Sequence, residues 1–212
     1  MKFNHYLASD FEQFEKQFRT NFINSLTGFK SANLVGTIGS DGQTNLAIFS
    51  QVFHLGANPA LIGLIVRPDT APRHTLENIM INRYFTLNHI GIDFYKQAHQ
   101  TSARYQVSEF EACNLTPEFS NRHIAPYVKE SHLKIGLELA ERHHLEINGT
   151  ILLIGKVVEV FIPEDVIGAD GYIDIEKAGS VTCSSLDSYH TTCRLSRLSY
   201  AKPDKELTEI QV

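Results

Sequence analysis

Several of the patterns that most readily announce a function are missing from this chain of 212 residues. Its three cysteines, Cys113, Cys183 and Cys193, are odd in number and widely spaced. They give neither a disulfide framework nor a CxxC metal pattern, and they read as free, non-catalytic thiols. There is no GxGxxG and no GxxxxGK[ST], so the two commonest phosphate-cradling loops are excluded. Gly36, Gly39 and Gly42 have the wrong spacing for either and read as turn chemistry. No HExxH, no Ser–His–Asp order and no paired-carboxylate motif stands out. The longest apolar stretch, 151–162, carries Lys156 and Glu159 and is too short to span a bilayer. At the N-terminus Ser9, Asp10, Glu12, Glu15 and Lys16 interrupt any run that would serve as a secretory signal. The net charge of -5 and pI near 6.0 leave no global basic field for nucleic acid. With 42% hydrophobic and 20% charged residues, the expectation is one soluble, cytoplasmic domain with no membrane or nucleic-acid partner.

What is present is a mainly β pattern. Residues 9–27 are predicted to form one amphipathic helix, opened by a capping box of Ser9 and Glu12 and striped by Phe11, Phe14, Phe18, Phe22 and Leu26. Such a stripe suits core packing or a dimer contact. Strands are then predicted at 32–38, 43–53, 60–67 and 84–90, with a turn at Gly39-Ser40-Asp41-Gly42 and a break at Asn58-Pro59. Pro68 and Pro72 bracket a loop before a short helix at 75–81. Two more short helices are expected near 94–104 and 108–113. Leu133, Ile135, Leu137 and Leu139 alternate with polar or small residues, as in a half-buried strand. Asn148-Gly149 turns the chain into a β-branched strand at 150–162. The tail, 204–212, is expected to fray. At least six strands without regular strand–helix alternation predict an antiparallel barrel or sandwich.

Two segments carry chemistry. In Asn45-Leu46-Ala47-Ile48-Phe49-Ser50, small or polar residues sit among large ones, which lets a flat ligand approach the backbone. Taken alone this is also an ordinary strand. In Arg73-His74-Thr75, a forked cation stands two residues before a hydroxyl at a helix start, a combination suited to phosphate. Taken alone, these are equally an N-cap and a solvated charge. Arg142-His143-His144 lies on a strand, where adjacent residues face opposite sides and cannot easily share a metal. His89, His99 and His123 are isolated and read as surface or packing residues.

Together the pattern G-x-x-N-x-A-x-x-S, the R-x-T-x-x-N-I helix and Phe85-Thr86-Leu87-Asn88 resemble the flavin reductase-like family of FMN-binding split barrels, flavoredoxins among them. Asn33-Leu34-Val35-Gly36-Thr37, Ser108-Glu109-Phe110-Glu111, Val128-Lys129-Glu130-Ser131 and Gly155-Lys156-Val157-Val158 match its other landmarks. The likeness runs over about 28–203. It implies a single six-stranded antiparallel split barrel with short helices, assembled as a homodimer with FMN near the subunit contact. It also implies that residues 45–50 lie along the flavin, that Ser50, Arg73 and Thr75, with His74 between them, take the phosphate, and that Asn88 lies nearby. Some relatives place a His of the C-terminal region at the nicotinamide, which marks Tyr189 and His190 as substrate-side candidates. Many members pass a hydride from NADH or NADPH to flavin and others are electron carriers. Such chemistry needs no acid–base residue, because the cofactor carries it. A barrel holding a pyridoxal or deazaflavin compound stays open as an alternative.

Overall fold

The computed structural model describes residues 1–68 and 73–210; Pro72 and the last two positions of the tail lie outside them. Twelve strands occur among the described residues: β1 (Lys30–Ser31), β2 (Asn33–Ile38), β3 (Thr44–Phe49), β4 (Val52–Ala57), β5 (Ala60–Val66), β6 (Tyr84–His89), β7 (Pro117–Glu118), β8 (Tyr127–Val128), β9 (Lys134–Leu145), β10 (Thr150–Phe161), β11 (Thr182–Ser184) and β12 (Ser188–His190). Five short α-helices accompany them: α1 (Ala8–Gln13), α2 (Lys16–Ser25), α3 (His74–Asn82), α4 (Tyr95–Gln100) and α5 (Glu109–Ala112). None of these helices is long and apolar enough to cross a membrane.

The main sheet has seven strands in the order β3-β2-β6-β9-β10-β5-β4, antiparallel throughout. This corrects the expected count of six. The stretch 43–53 is two strands, broken at Ser50-Gln51. That break sets the architecture, because β3 and β4 stand at opposite edges of the sheet. In a flat sheet, six inter-strand steps would separate them by roughly 29 Å. The chain from Phe49 to Val52 can reach only about 11 Å. The sheet must therefore curl until its edges meet. They meet without pairing, so the barrel is split along this seam. Gln51 fastens the seam to β5 through the Ile65 N–H, which donates to the Gln51 carbonyl at 3.0 Å.

Apolar packing lies on both faces of β2, which is buried from Asn33 to Thr37. Adjacent strand residues point to opposite faces. Val35 joins one cluster with Leu64, Leu76, Ile79, Phe85, Leu137 and Leu153. Leu34 joins another with Leu46, Ile90, Phe94, Phe110 and Val181, which docks α4 and α5 against the sheet. The alternation of 133–139 holds, but its strand runs on to Leu145. Beyond Leu139 the β9–β10 hairpin is exposed from Ala140 to Asn148, and it turns at Gly149 with φ 69°.

The N-terminal segment differs from its expected form. It is two helices, and Ser9 lies inside α1 instead of capping it. Asp10 Oδ2 accepts the Leu7 N–H at 2.7 Å. Glu15 ends the first helix by capping the second, accepting the Gln17 and Phe18 amides at 2.8 and 3.1 Å. The phenylalanine stripe folds on itself: Phe11, Phe14, Phe18 and Phe22 cluster with Tyr6 at centroid distances of 4.8–6.0 Å. No residue of α1 or α2 is buried, so the stripe is not part of the chain's core. Residues 197–210 carry backbone hydrogen bonds. Ser199 and Thr208 pair, and the Ile210 N–H donates to the Arg197 carbonyl at 2.8 Å.

His89, at the end of β6, is held at low exposure against Ser180, with Nδ1 and Oγ 3.0 Å apart. Burial pushes its imidazole down from 6.5 to about 4. The unfolded chain therefore takes up a proton that the folded chain resists. Stability from this group is present above 6.5 and lost as pH falls from 6.5 toward about 4. The slope of unfolding free energy between pH 7 and pH 4.5, measured by urea titration, should be shallower in His89→Gln than in the parent.

Candidate functional site

The seam opens into a cavity of about 620 Å³. Its floor is β3 and the residue that follows it, with Asn45, Ala47, Ile48, Phe49 and Ser50 all contributing. One end is closed by Ile65, Val66 and Arg67 of the β5 end and by Arg73, His74 and Thr75 at the start of α3. The roof comes from 101–104, which follow α4, and from Cys183 and Tyr189 on β11 and β12.

The floor is rigid because its polar groups are paired. Asn45 is buried and its amide donates to the hydroxyls of Thr37 and Thr75, at 3.2 and 3.1 Å. Asn78 donates to the same Thr37 oxygen at 3.1 Å. Asn45 thus ties β3 to the helix start that closes the cavity. The Thr75 oxygen accepts this bond and keeps its own proton to donate. Arg73 is half-buried; its Nε and Nη2 both donate to the Pro68 carbonyl at 3.2 Å. The Arg73 N–H donates to Glu77 Oε1 at 3.1 Å, closing the first turn of α3. On the sheet edge the Leu46 N–H points away from β2 and donates to Glu109 Oε2 at 3.0 Å. With the strand's two-residue period, the Ile48 N–H points the same way, into the cavity.

The roof contains a second polar contact. His99 Nδ1 and the Tyr189 hydroxyl are 2.8 Å apart, and the Tyr95 ring lies 5.5 Å from that of Tyr189. The Tyr189 phenol is pushed up to about 12, first by burial and then by Cys183 and Asp187. It is a neutral hydrogen-bonding group at any ordinary pH. Cys183 is also pushed up by burial, against the opposing influence of Lys30 and Ser50. A raised thiol pKa does not suit a nucleophile. Cys113 is likewise buried and raised, and Cys193 is exposed; all three are free.

The structure thus gathers Asn45, Ala47, Ile48, Phe49, Ser50, Arg73, His74, Thr75 and Tyr189 around one cavity, and it leaves three expected residues outside. The Leu46 side chain turns into the apolar core, and only its backbone faces outward. His190 follows Tyr189 on the opposite face, held by the hydroxyls of Ser184 and Ser188 at 2.9 and 3.0 Å. Asn88 is fully buried and all its bonds are internal. Its amide donates to Leu34 O and Thr86 Oγ1, and its Oδ1 accepts the Val128 N–H at 2.9 Å. His99, Arg67, Arg104 and Glu109 were not expected in the lining. His99 sits in no local motif, and only the folding of α4 beneath β12 brings it there. His143 and His144 pair with Glu141 and Glu146 of their own hairpin, and no metal-ligating cluster occurs among the described residues.

The fold is thus a split antiparallel barrel with a cavity at its seam, lined by arginines and hydroxyls at one end. The chain belongs to the flavin reductase like domain family, whose model matches residues 29–177. It is 50% identical to a candidate flavin reductase with split barrel domain from Shewanella frigidimarina NCIMB 400, with a TM-score of 0.90 over 93% of this chain and 100% of that one. Component B of nitrilotriacetate monooxygenase from Bacillus cereus is 21% identical, with a TM-score of 0.81 over 92% and 100%. Flavoredoxin of Desulfovibrio vulgaris (Miyazaki F) is 23% identical, with a TM-score of 0.68 over 84% and 92%. At these lower identities the fold is what is shared.

The internal bonding of Asn88 gives it a role in stability. Asn88→Ala leaves the Val128 N–H buried without an acceptor, at a cost of about 1–3 kcal/mol. A chemical-denaturation midpoint lowered to that extent is the expected result.

Proposed function

We propose that this chain binds FMN in the seam cavity and passes a hydride from NADH or NADPH onto the flavin, working as a cytoplasmic homodimer. The observation that carries this reading is the meeting of two unlike surfaces in one cavity. At one end the first turn of α3 offers its backbone amides, the Thr75 hydroxyl and the Arg73 fork, with Ser50 on the facing strand end. A helix start with such donors suits a dianionic phosphate. Along the floor, Ala47 leaves room for a flat ring, and the outward Ile48 amide can bond its polar edge. When bound, the flavin supplies the hydride chemistry. The chain's own part is to hold the phosphate, seat the ring against β3 and cover it with the roof of Tyr189 and His99. The exposed aromatic cluster of α1 and α2 offers apolar surface for a second copy of the chain; Phe18 is 52% exposed and Leu26 62%.

Arg73→Ala should weaken FMN by about ten- to a hundredfold, since a charge-assisted hydrogen bond is worth roughly 1.5–3 kcal/mol. Riboflavin, which lacks the phosphate, should bind both proteins alike. Fluorescence quenching with both flavins gives the comparison, and an equal loss for the two would place the phosphate elsewhere. Anaerobic addition of NADH or NADPH should bleach the bound flavin. A bound flavin that stays oxidised with both nicotinamides, yet is reduced by dithionite, would make the protein an electron carrier instead.

A further inference from the structure

We propose that Glu109 is a positioning residue of this cavity: its carboxylate clips the free edge of β3 at Leu46 and sets a negative charge on the wall beside the flavin. The proposal rests on the FMN reading above. β3 pairs only with β2, so its outward amides have no strand to bond. A bare edge of this kind is free to shift unless something covers it. Here the covering comes from the start of α5. Glu109 Oε2 accepts the Leu46 N–H at 3.0 Å, and two residues earlier Thr44 Oγ1 and Ser108 Oγ lie 2.8 Å apart. Phe110, the next residue, is buried in the same cluster as Leu46 and fixes α5 beneath the strand. The clip therefore stands on a packed base. It holds β3 at the residues that alternate with Asn45 and Ala47, so it sets where the cavity floor lies.

The same side chain lines the cavity. When a hydride adds to oxidised flavin, the nicotinamide is oxidised and the isoalloxazine ring gains a negative charge. A carboxylate on the wall disfavours that added charge. Glu109 thereby favours oxidised over reduced FMN and makes the bound flavin a stronger reductant. Arg67, Arg73 and Arg104 also line the cavity and act in the opposite sense. Glu109 offsets them.

Two variants separate the clip from the charge. Glu109→Gln keeps an oxygen that can accept the Leu46 amide and removes the charge. Glu109→Asp keeps the charge and withdraws the oxygen by one methylene. Hydrogen exchange at the Leu46 amide in flavin-free protein reads the clip; protection should persist in Glu109→Gln and fall in Glu109→Asp. The midpoint potential of bound FMN reads the charge. Glu109→Gln should shift relative affinity toward reduced FMN by up to about tenfold, a rise of about 30 mV for a two-electron couple, and Glu109→Asp should shift it far less. Unchanged protection in Glu109→Asp, or an unchanged potential in Glu109→Gln, would overturn the proposal. A parent protein that protects Leu46 but takes up no FMN would overturn the flavin reading, and the charge effect with it, while leaving the clip in place.

Discussion

The two-residue connection Ser50-Gln51 is the constraint from which the rest follows. It joins strands that the hydrogen-bond ladder puts at opposite edges of a seven-stranded sheet. No flat or gently twisted sheet can satisfy both the ladder and the chain length. Curling the sheet encloses the Val35–Phe85–Leu137 cluster on its inner side and leaves the Leu34–Phe94–Phe110 cluster to be covered by helices. The same curl explains why the cavity is where it is. An edge that meets its counterpart without pairing leaves room, and its unpaired amides give that room a polar wall.

Much of this was legible in the sequence, and what was not has physical causes. The strands at 33–38, 60–66 and 84–89 announced themselves because an inward face of β-branched and aromatic residues is a local property. The break at Ser50-Gln51 did not, because neither residue is Gly or Pro and the bend is imposed by closure of the sheet. The split between α1 and α2 was hidden similarly: the phenylalanine spacing runs straight through it, and only the Glu15 side chain reveals that a new helix begins. Asp10 is a further case: Ser9 and Glu12 fit a capping box by type, whereas it is Asp10 that accepts the Leu7 amide.

The site divides along the same line. Arg73, Thr75 and the residues of β3 lie in two short segments; residue type and a helix start leave each open to an ordinary structural reading, and it is their combination, as a family resemblance, that singles them out. His99 lies in the short helix α4, Glu109 opens α5 and Arg104 falls between them, and tertiary packing alone carries all three to the cavity. Asn88, which the resemblance puts near the cofactor, has its side-chain bonds inside the fold, where it serves the backbone of the neighbouring segment.

That service has its own consequence. The segment around Pro126–Val128 carries only the two-residue strand β8 between two connections, and connections of that kind ordinarily accept insertions and drift freely in sequence. This one is bolted to the sheet. Thr86 Oγ1 donates to the Pro126 carbonyl at 2.6 Å, and Asn88 receives the Val128 amide. The same Pro126 carbonyl sits directly above Gly36, where even a methyl group would collide with it. Ala125 and Val128 are fully buried. A stretch that looks like a connection is therefore built like an interior wall, and the room for evolutionary change lies elsewhere, in the exposed far half of the β9–β10 hairpin.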